Sequence, residues 1–89
     1  MPLFHFHLAG ETRERDCDGL DLPDLAAARE AATRYAGEIL RDDPHWLGAS
    51  GQSRVEVTDD QDTLLCTLVM LAIDAPAVDR LNGAGYTYV

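Results

Sequence analysis

The sequence predicts a single α+β domain in which an antiparallel sheet of about four strands, in the order ββαββ, is covered on one face by one long helix. Stretches of alternating polarity at residues 3–8 and 54–58 indicate strands. Between them, residues 25–41 carry an apolar stripe at helical spacing. The length of 89 residues suits one domain, assigned to residues 1–74, with a short C-terminal helix and strand extension over residues 75–89.

The first strand is predicted over residues 3–8, where side chains alternate between two faces. Phe4 and Phe6 lie on the face that is expected to meet the core. His5 and His7 lie on the other face, which is expected to be the polar, solvent-facing side of the strand. The aromatic residues therefore pack the strand against the core. The position of the histidines on the opposite face then follows from the alternation.

A short second strand is predicted over residues 16–22, after a polar turn at residues 10–15. A hairpin centred near residues 12–13 brings Asp18 roughly opposite His7. This register decides which face each side chain occupies, because a slip of one residue reverses the two faces of a strand.

The clearest element is a helix that begins after Asp21 or Asp24 and ends before Pro44. Either aspartate is a suitable acceptor for a free N–H of the first turn. The residue before a proline disfavours helical backbone angles, so the helix stops there. The apolar stripe is rich in alanine, which lets a helix lie close to a sheet, and it consists of Leu25, Ala28, Ala32, Tyr35, Ala36 and Ile39.

The last two strands are predicted over residues 54–58 and 63–73, with an acidic turn between them. The final strand is apolar on both faces, whereas a sheet covered on one side by a helix normally has one polar face. Its second face therefore needs cover from the C-terminal segment or from a second copy of the chain. The residues assigned to this interface are Leu65, Val69, Leu71 and Ile73, together with Tyr86 and Tyr88 from the extension.

The C-terminal extension combines a short helix signal with a strand-like end. Asp74 is a suitable helix N-cap, and Asn82 followed by Gly83 is a suitable stop. Residues 85–89 have the composition of a strand. We expect this extension to pack on the domain or on a partner subunit.

The charge of the chain restricts its partners. Sixteen acidic residues stand against seven Arg and no Lys, which gives a net charge of −9. Such a chain repels phosphate backbones, so nucleic-acid binding is not expected. A basic protein partner is electrostatically allowed.

The sequence also indicates where the protein resides. Its longest apolar run is too short to span a bilayer, and its first residues lack the pattern of a secretory signal. Cys17 and Cys66 are far apart and form neither a disulfide framework nor a zinc motif. We therefore expect a cytoplasmic protein that does not bind membranes.

Several motifs together resemble a known family. The chain opens with alternating aromatic and histidine residues at 4–7, continues with Asp16 and Gly19, and reads Leu-Pro-Asp at 22–24 before the alanine-rich helix and the hairpin strand at 55–59. This combination is similar to a family of small bacterial proteins that is catalogued as a domain of unknown function. The resemblance implies the fold and no activity. The strand and helix order is also similar to that of the antitoxin subunit of a bacterial toxin–antitoxin pair, which is an analogy of fold alone.

The strongest candidate binding site combines His5 and His7 with Asp16 and Asp18. Two histidines at alternate positions of a strand lie about 6.5–7 Å apart at Cα, a spacing that suits one metal ion, and a neighbouring aspartate is the natural third ligand. The preferred interpretation is instead a polar strand face whose rings bond to carboxylates. A carboxylate beside His7 is then expected to raise the pKa of that ring.

The leading functional hypothesis is a non-enzymatic module that self-associates, as a homodimer, through the outer face or edge of the last strand. It requires no cofactor, metal or catalytic residue. One alternative is an antitoxin-like regulator that holds a basic protein with its acidic surface. The other is a metal-binding or small enzymatic site around the two histidines and two aspartates.

Overall fold

The computed structural model describes residues 2–10, 13–47 and 51–77. These residues form a helix and an antiparallel sheet, so the predicted α+β class is confirmed. The elements in chain order are β1 (Leu3–Ala9), β2 (Arg13–Glu14), β3 (Leu20–Asp21), α1 (Leu25–Asp42), β4 (Gln52–Thr58) and β5 (Leu64–Leu71).

The sheet is built around β1 and β4. Its order is β2-β1-β4-β5, and β3 pairs with β1 beyond the end of β2. His7 lies opposite Glu56 in the β1–β4 register, and Val55 lies opposite Leu68 in the β4–β5 register. In the described part of the chain, β5 is therefore an edge strand.

The predicted second strand is interrupted. Instead of one strand over residues 16–22, two short strands flank a loop that leaves the sheet at Arg15 and returns at Gly19. Gly19 has a φ of +75°, and a Cβ at this position would lie 3.0 Å from the side chains of Leu3 and His5. A left-handed residue in close contact with β1 favours glycine and breaks the extended run.

The helix begins and ends as the sequence predicts, and the structure selects between the two candidate caps. The Asp24 side chain accepts a hydrogen bond from the N–H of Ala27 at 2.8 Å, whereas Asp21 lies in β3. This bond satisfies one of the free donors of the first turn. At the other end, Asp43 caps the helix before Pro44.

The core lies between α1 and one face of the sheet. Ala28 and Ala32 are fully buried and bring the helix axis close to the strands. Val55 and Val57 of β4 are also fully buried beneath them. Because these alanines leave little room, the fit of helix to sheet depends on small side chains in the stripe.

A short acidic turn joins β4 to β5, as predicted. The Asp59 carboxylate accepts hydrogen bonds from the N–H groups of Gln61 and Thr63, both at 2.9 Å. Asp62 has a φ of 63°, a left-handed conformation that aspartate tolerates better than most residues. In this turn, Asp62 lies over the sheet face opposite the helix, next to His5 and His7.

The predicted extension lies largely outside the described residues. Positions 78–89, including Tyr86 and Tyr88, belong to this part, so the division at residue 74 stays a prediction. Among the residues described, no helix is both long and apolar enough to cross a membrane.

Candidate functional site

The sheet face opposite α1, here called the open face, carries two distinct surfaces. One is a cleft of about 290 Å³ over β1, here called the histidine cleft. The other is a row of exposed aliphatic side chains on β5, here called the β5 stripe. The cleft is lined by His5, His7, Arg15, Asp16, Cys17, Asp59, Asp60 and Asp62, and the stripe consists of Leu65, Val69, Leu71 and Ile73.

The Asp16 side chain fills the gap between β2 and β3. Its carboxylate accepts hydrogen bonds from the N–H groups of Phe6, Asp18 and Gly19 at 3.1–3.2 Å. Burial raises the pKa of Asp16, but these three amides outweigh it and the net pKa lies below the usual value. The carboxylate therefore replaces a missing strand and is fully engaged by backbone.

His7 is held from both sides. Its Nδ1 accepts a hydrogen bond from the N–H of Asp16 at 2.9 Å, so this nitrogen carries no proton in the neutral ring. Its Nε2–H then donates to the hydroxyl of Thr58 at 3.0 Å. The ring is only 2% exposed, which corrects the prediction that it faces solvent on the polar side of the strand.

The pKa of His7 is lowered rather than raised, which makes the second expectation for this ring wrong. Burial is the largest cause, and the Arg15 guanidinium adds to it. The carboxylate of Asp62 acts in the opposite direction, at 3.9 Å from Nε2, and does not compensate. The structure thus favours a neutral His7.

An ion pair closes the histidine cleft over this ring. The Arg15 guanidinium lies 3.0 Å from Oδ1 of Asp62, the same oxygen that approaches His7. Both side chains are more than half exposed, so solvent weakens the pair. The Arg15–Asp62 ion pair is therefore a polar layer between the buried His7 ring and solvent.

His5 contributes to the same cluster through the main chain of Asp16. Its Nδ1–H donates to the Asp16 carbonyl oxygen at 3.0 Å. The two imidazole rings are parallel within 3°, with centroids 6.1 Å apart. Asp16 is thus bonded to both rings through its backbone, whereas the prediction had the rings bonded to carboxylates.

The structure brings together three of the four predicted site residues. His5, His7 and Asp16 meet, but Asp18 is exposed, and its N–H donates a hydrogen bond to the Asp16 carboxylate. The register that placed Asp18 opposite His7 is therefore wrong. Among the described residues, no group of three or more His, Cys, Asp or Glu side chains is arranged to hold a metal ion.

Sequence reasoning missed the residues that complete the cleft. Thr58 and Asp62 come from β4 and the following turn, about fifty positions away from His7 in the chain. Arg15 is close in sequence, but only the pairing of β1 with β4 brings its partner Asp62 within reach. No local pattern in the sequence marks these contacts.

Next to the cleft, an ionic cluster covers the open face of β1 and β4. Glu56 lies 2.8 Å from Arg13 and 3.2 Å from Arg54, and its side chain is 14% exposed. Burial raises the pKa of Glu56, but the two guanidinium groups outweigh it and the net pKa is lowered. The open face over β1 and β4 is therefore polar, and the charge of Glu56 is paired there.

The β5 stripe has no such cover among the described residues. Val69 is 45% exposed, Leu71 is 59% exposed, and Ile73, just beyond the strand, is 83% exposed. The alternate side chains of the strand, Cys66, Leu68 and Met70, pack against the core instead. The structure thus places four of the predicted interface residues on one exposed face, and Tyr86 and Tyr88 lie outside the described residues.

The backbone of β5 also faces outward at the stripe. The N–H of Ala72 donates to the carbonyl of Gly51 at 2.7 Å, which marks this pair as hydrogen-bonded across the ladder. Because bonded and non-bonded pairs alternate, residues 66, 68 and 70 also point their amides and carbonyls at β4. The amides and carbonyls of residues 67, 69 and 71 therefore point to the outer edge, whereas Leu65 lies at the irregularity of the ladder.

Comparison with known proteins identifies the family of the chain. Residues 3–72 match the family model of a domain of unknown function, DUF6894. This match confirms the resemblance predicted from the motifs of the first strand, the loop and the helix. No similar protein was found among curated proteins or among solved structures.

Proposed function

The chain belongs to the DUF6894 family of domains of unknown function, and we propose that it is a non-enzymatic module that forms a homodimer through the outer edge of β5. The observation that supports this proposal is the coincidence of two features on one strand. The residues of the β5 stripe expose apolar side chains on the open face. Two residues of the stripe, Val69 and Leu71, also direct amides and carbonyls to the outer sheet edge, where no described strand pairs with them.

Natural proteins usually protect an edge strand from pairing. Charged side chains, proline, bulges or a covering loop prevent other strands from adding to the sheet. Residues 63–73 contain neither a charge nor a proline. The irregularity in the β4–β5 ladder lies at Val57 and Thr58, at one end of the strand, and leaves the rest of β5 regular. Within residues 2–10, 13–47 and 51–77 nothing covers this edge, which is therefore available to a further strand.

A second copy of the chain fits this edge better than a charged partner does. Two chains with a net charge of −9 repel each other, so a contact between them needs a surface without charges. The uncharged stretch at 63–73 provides that surface. A basic partner would seek carboxylates, and β5 has none.

The geometry of β5 also suggests a register. A two-fold axis makes each contact occur twice, so the strands pair antiparallel. Centring the axis on Leu68 places Leu65 opposite the partner's Leu71 and Thr67 opposite the partner's Val69. Paired residues in such a ladder have Cα atoms about 4.5–5.5 Å apart, close enough for the aliphatic side chains to pack.

The hydrogen bonds of His7 and Asp16 support a non-enzymatic role for these two residues of the histidine cleft. Both ring nitrogens of His7 are engaged in hydrogen bonds, and the Asp16 carboxylate is engaged by three amides. A general base needs a free lone pair directed at its substrate. In this arrangement the polar groups of the cleft stabilise the loop between β2 and β3.

Sedimentation analysis of the full chain over micromolar concentrations tests the dimer. We expect the wild type to sediment as a dimer and Val69→Lys to sediment as a monomer, because a lysine on the edge blocks strand pairing. Gln61→Lys adds the same charge at an exposed turn and serves as the matched control, which should remain dimeric. A monomeric wild type, or a dimeric Val69→Lys, would contradict the proposal.

A second candidate function, binding of a basic protein, is favoured by a groove of about 360 Å³ beside the C-terminal half of α1. Four of its lining residues are carboxylates, and one wall is the half-buried Trp46. Asp42 pairs with Arg41, and the other three of these carboxylates form no ion pair with any described residue. The four are Glu14, Glu38, Asp42 and Asp43.

The fluorescence of Trp46 tests this second function, because it is the only tryptophan of the chain. Titration with an arginine-containing peptide should change its emission, and a matched peptide with citrulline should not. The double variant Glu14→Gln/Glu38→Gln should weaken binding, whereas Asp60→Asn/Asp74→Asn, which removes two charges outside the groove, should not. Equal affinity for all variants would indicate attraction to net charge alone.

A further inference from the structure

We propose that His7 is a proton-operated latch, whose protonation at Nδ1 releases the loop between β2 and β3 from β1. This loop, here called the Asp16 loop, consists of residues 15–19. The proposal is independent of the dimer, since His7 lies on β1 and the β5 stripe lies at the edge of the sheet beyond β4.

The two ring nitrogens of His7 respond differently to a proton. In the neutral ring, Nδ1 accepts the N–H of Asp16, and Nε2–H donates to Thr58. A proton from solvent can bind only to Nδ1, because Nε2 already carries one. The new N–H then points at the N–H of Asp16, and two donors cannot share a hydrogen bond. Protonation therefore breaks the bond to the loop and keeps the bond to β4.

The same proton weakens a second attachment of the loop. Oδ1 of Asp62 lies 3.0 Å from the Arg15 guanidinium and 3.9 Å from Nε2 of His7. A cationic ring attracts this oxygen and competes with Arg15 for it. It also repels Arg15 directly, because the two groups carry like charges and both lie beside Oδ1 of Asp62. One protonation event thus acts on the loop at its backbone and at its side chain.

Charged groups surround His7 on every side and set the point at which it titrates. From β1 and β2, His5 and Arg13 disfavour the cation, and Arg15 of the loop does so more strongly. On β4, Glu56 lies opposite His7 but is held between two guanidinium groups. In the turn after β4, Asp62 favours the cation, and Asp59 and Asp60 line the same cleft.

The remaining attachments allow the loop to open without unfolding the sheet. Arg15, Cys17 and Asp18 are exposed, so the loop buries little apolar surface. The hydrogen bonds that remain join Asp16 to His5 and to Phe6. The core between α1 and β4 does not include the loop. Opening of the loop also breaks these two bonds of Asp16, which widens the histidine cleft and exposes the amide of Phe6 on β1.

Nuclear magnetic resonance of the ¹⁵N-labelled full chain tests the latch directly. The ring nitrogens of His7 should show the Nε2–H tautomer at neutral pH. As the ring titrates, at a pH below 6.5, hydrogen-exchange protection of the Asp16 amide should fall by about tenfold or more with the same midpoint. The amides of Val55 and Leu68 should keep their protection, which distinguishes local release from global unfolding.

Variants separate His7 from the other histidines. His7→Gln offers an acceptor and a donor but does not titrate, so protection of the Asp16 loop should become independent of pH over this range. His45→Gln, at an exposed site, should behave as the wild type does. If His7→Gln fails to fold, the test is whether the wild-type His7 ring titrates with the same midpoint as the loss of Asp16 amide protection. An Nδ1–H tautomer, a loop that stays protected while His7 titrates, or loss of all protection at once would each overturn the proposal.

Discussion

The main-chain N–H of Asp16 donates a hydrogen bond to Nδ1 of His7 over 2.9 Å, and this contact joins the loop between β2 and β3 to the central strand. It fixes the tautomer of a buried ring and places the Asp16 carboxylate where a strand is missing. Because burial and hydrogen bonding both oppose a positive charge on this ring, the contact has consequences for stability that can be measured.

The stability of the fold should fall as the pH is lowered through the range in which histidine titrates. The pKa of His7 is lowered in the folded protein, so above 6.5 the ring is neutral in both states and its contribution is fully present. Below that value the unfolded chain binds the proton first, and stability decreases until the folded pKa is passed. Urea unfolding at about pH 7.5 and about pH 5 should show this loss.

The variants His7→Gln and His45→Gln serve as test and control for this pH dependence. His7→Gln should remove most of the difference in unfolding free energy between the two pH values. His45→Gln should preserve that difference. An equal pH dependence in all three proteins would mean that His7 is not the group responsible. A separate loss below 3.8 is expected from Asp16, whose folded pKa is also lowered.

Replacement of the Asp16 carboxylate should destabilise the protein more than its position in an irregular loop suggests. Asp16→Ala leaves the amides of Phe6, Asp18 and Gly19 without their acceptor, at a cost of about 1–3 kcal/mol in the free energy of unfolding. Asp18→Ala, two residues away and exposed, should change it by less than about 0.5 kcal/mol. Denaturant unfolding compares the two, and equal effects would show that the Asp16 carboxylate has no special role.

Two glycines should respond to alanine with opposite signs. Gly19→Ala forces a left-handed residue and a close contact with Leu3 and His5, which should cost about 1–2 kcal/mol or more. Gly37→Ala lies in the helix with no atom within 4 Å of the added methyl, and it should stabilise by about 0.5–1 kcal/mol. Thermal unfolding of both variants measures the difference. Effects of the same sign would contradict the assigned conformations.

Enlargement of the alanine stripe should test how closely the helix lies on the sheet. Ala32 is fully buried against the strands, so Ala32→Leu should cost about 1–3 kcal/mol through overpacking. Ala26 is exposed on the same helix, and Ala26→Leu should leave stability within about 0.5 kcal/mol. If Ala32→Leu proves neutral in urea unfolding, the helix does not pack on the sheet through this residue.

The elements that the sequence predicts well are those with a local cause. The helix follows from its apolar spacing, its cap at Asp24 and the proline after Asp43. The strands β1, β4 and β5 follow from alternation, and the acidic turn follows from its composition. These signals are contained within short windows, so the class of fold and the exposed face of β5 are both accessible from the sequence.

The histidine cleft has a different origin, and its prediction fails at specific contacts. Burial of His7 requires Thr58 and Asp62, which the β1–β4 pairing brings from a distant part of the chain. The second strand is interrupted where the Asp16 carboxylate accepts backbone amides in place of a strand. The sequence does not show which aspartate does this, because Asp18 is an equally suitable acceptor. Alternation alone places His7 on the polar face and says nothing of the cover above it.

The dimer through β5 is tested most directly by contacts between two copies of the chain. In a mixture of ¹³C-labelled and unlabelled protein, isotope-filtered nuclear Overhauser spectra report only proximities between copies. The proposed pairing predicts contacts from Leu65 to the partner's Leu71 and from Thr67 to the partner's Val69. Absence of contacts between copies at β5, in a sample of dimeric mass, would place the interface elsewhere, and a monomeric mass would exclude the dimer.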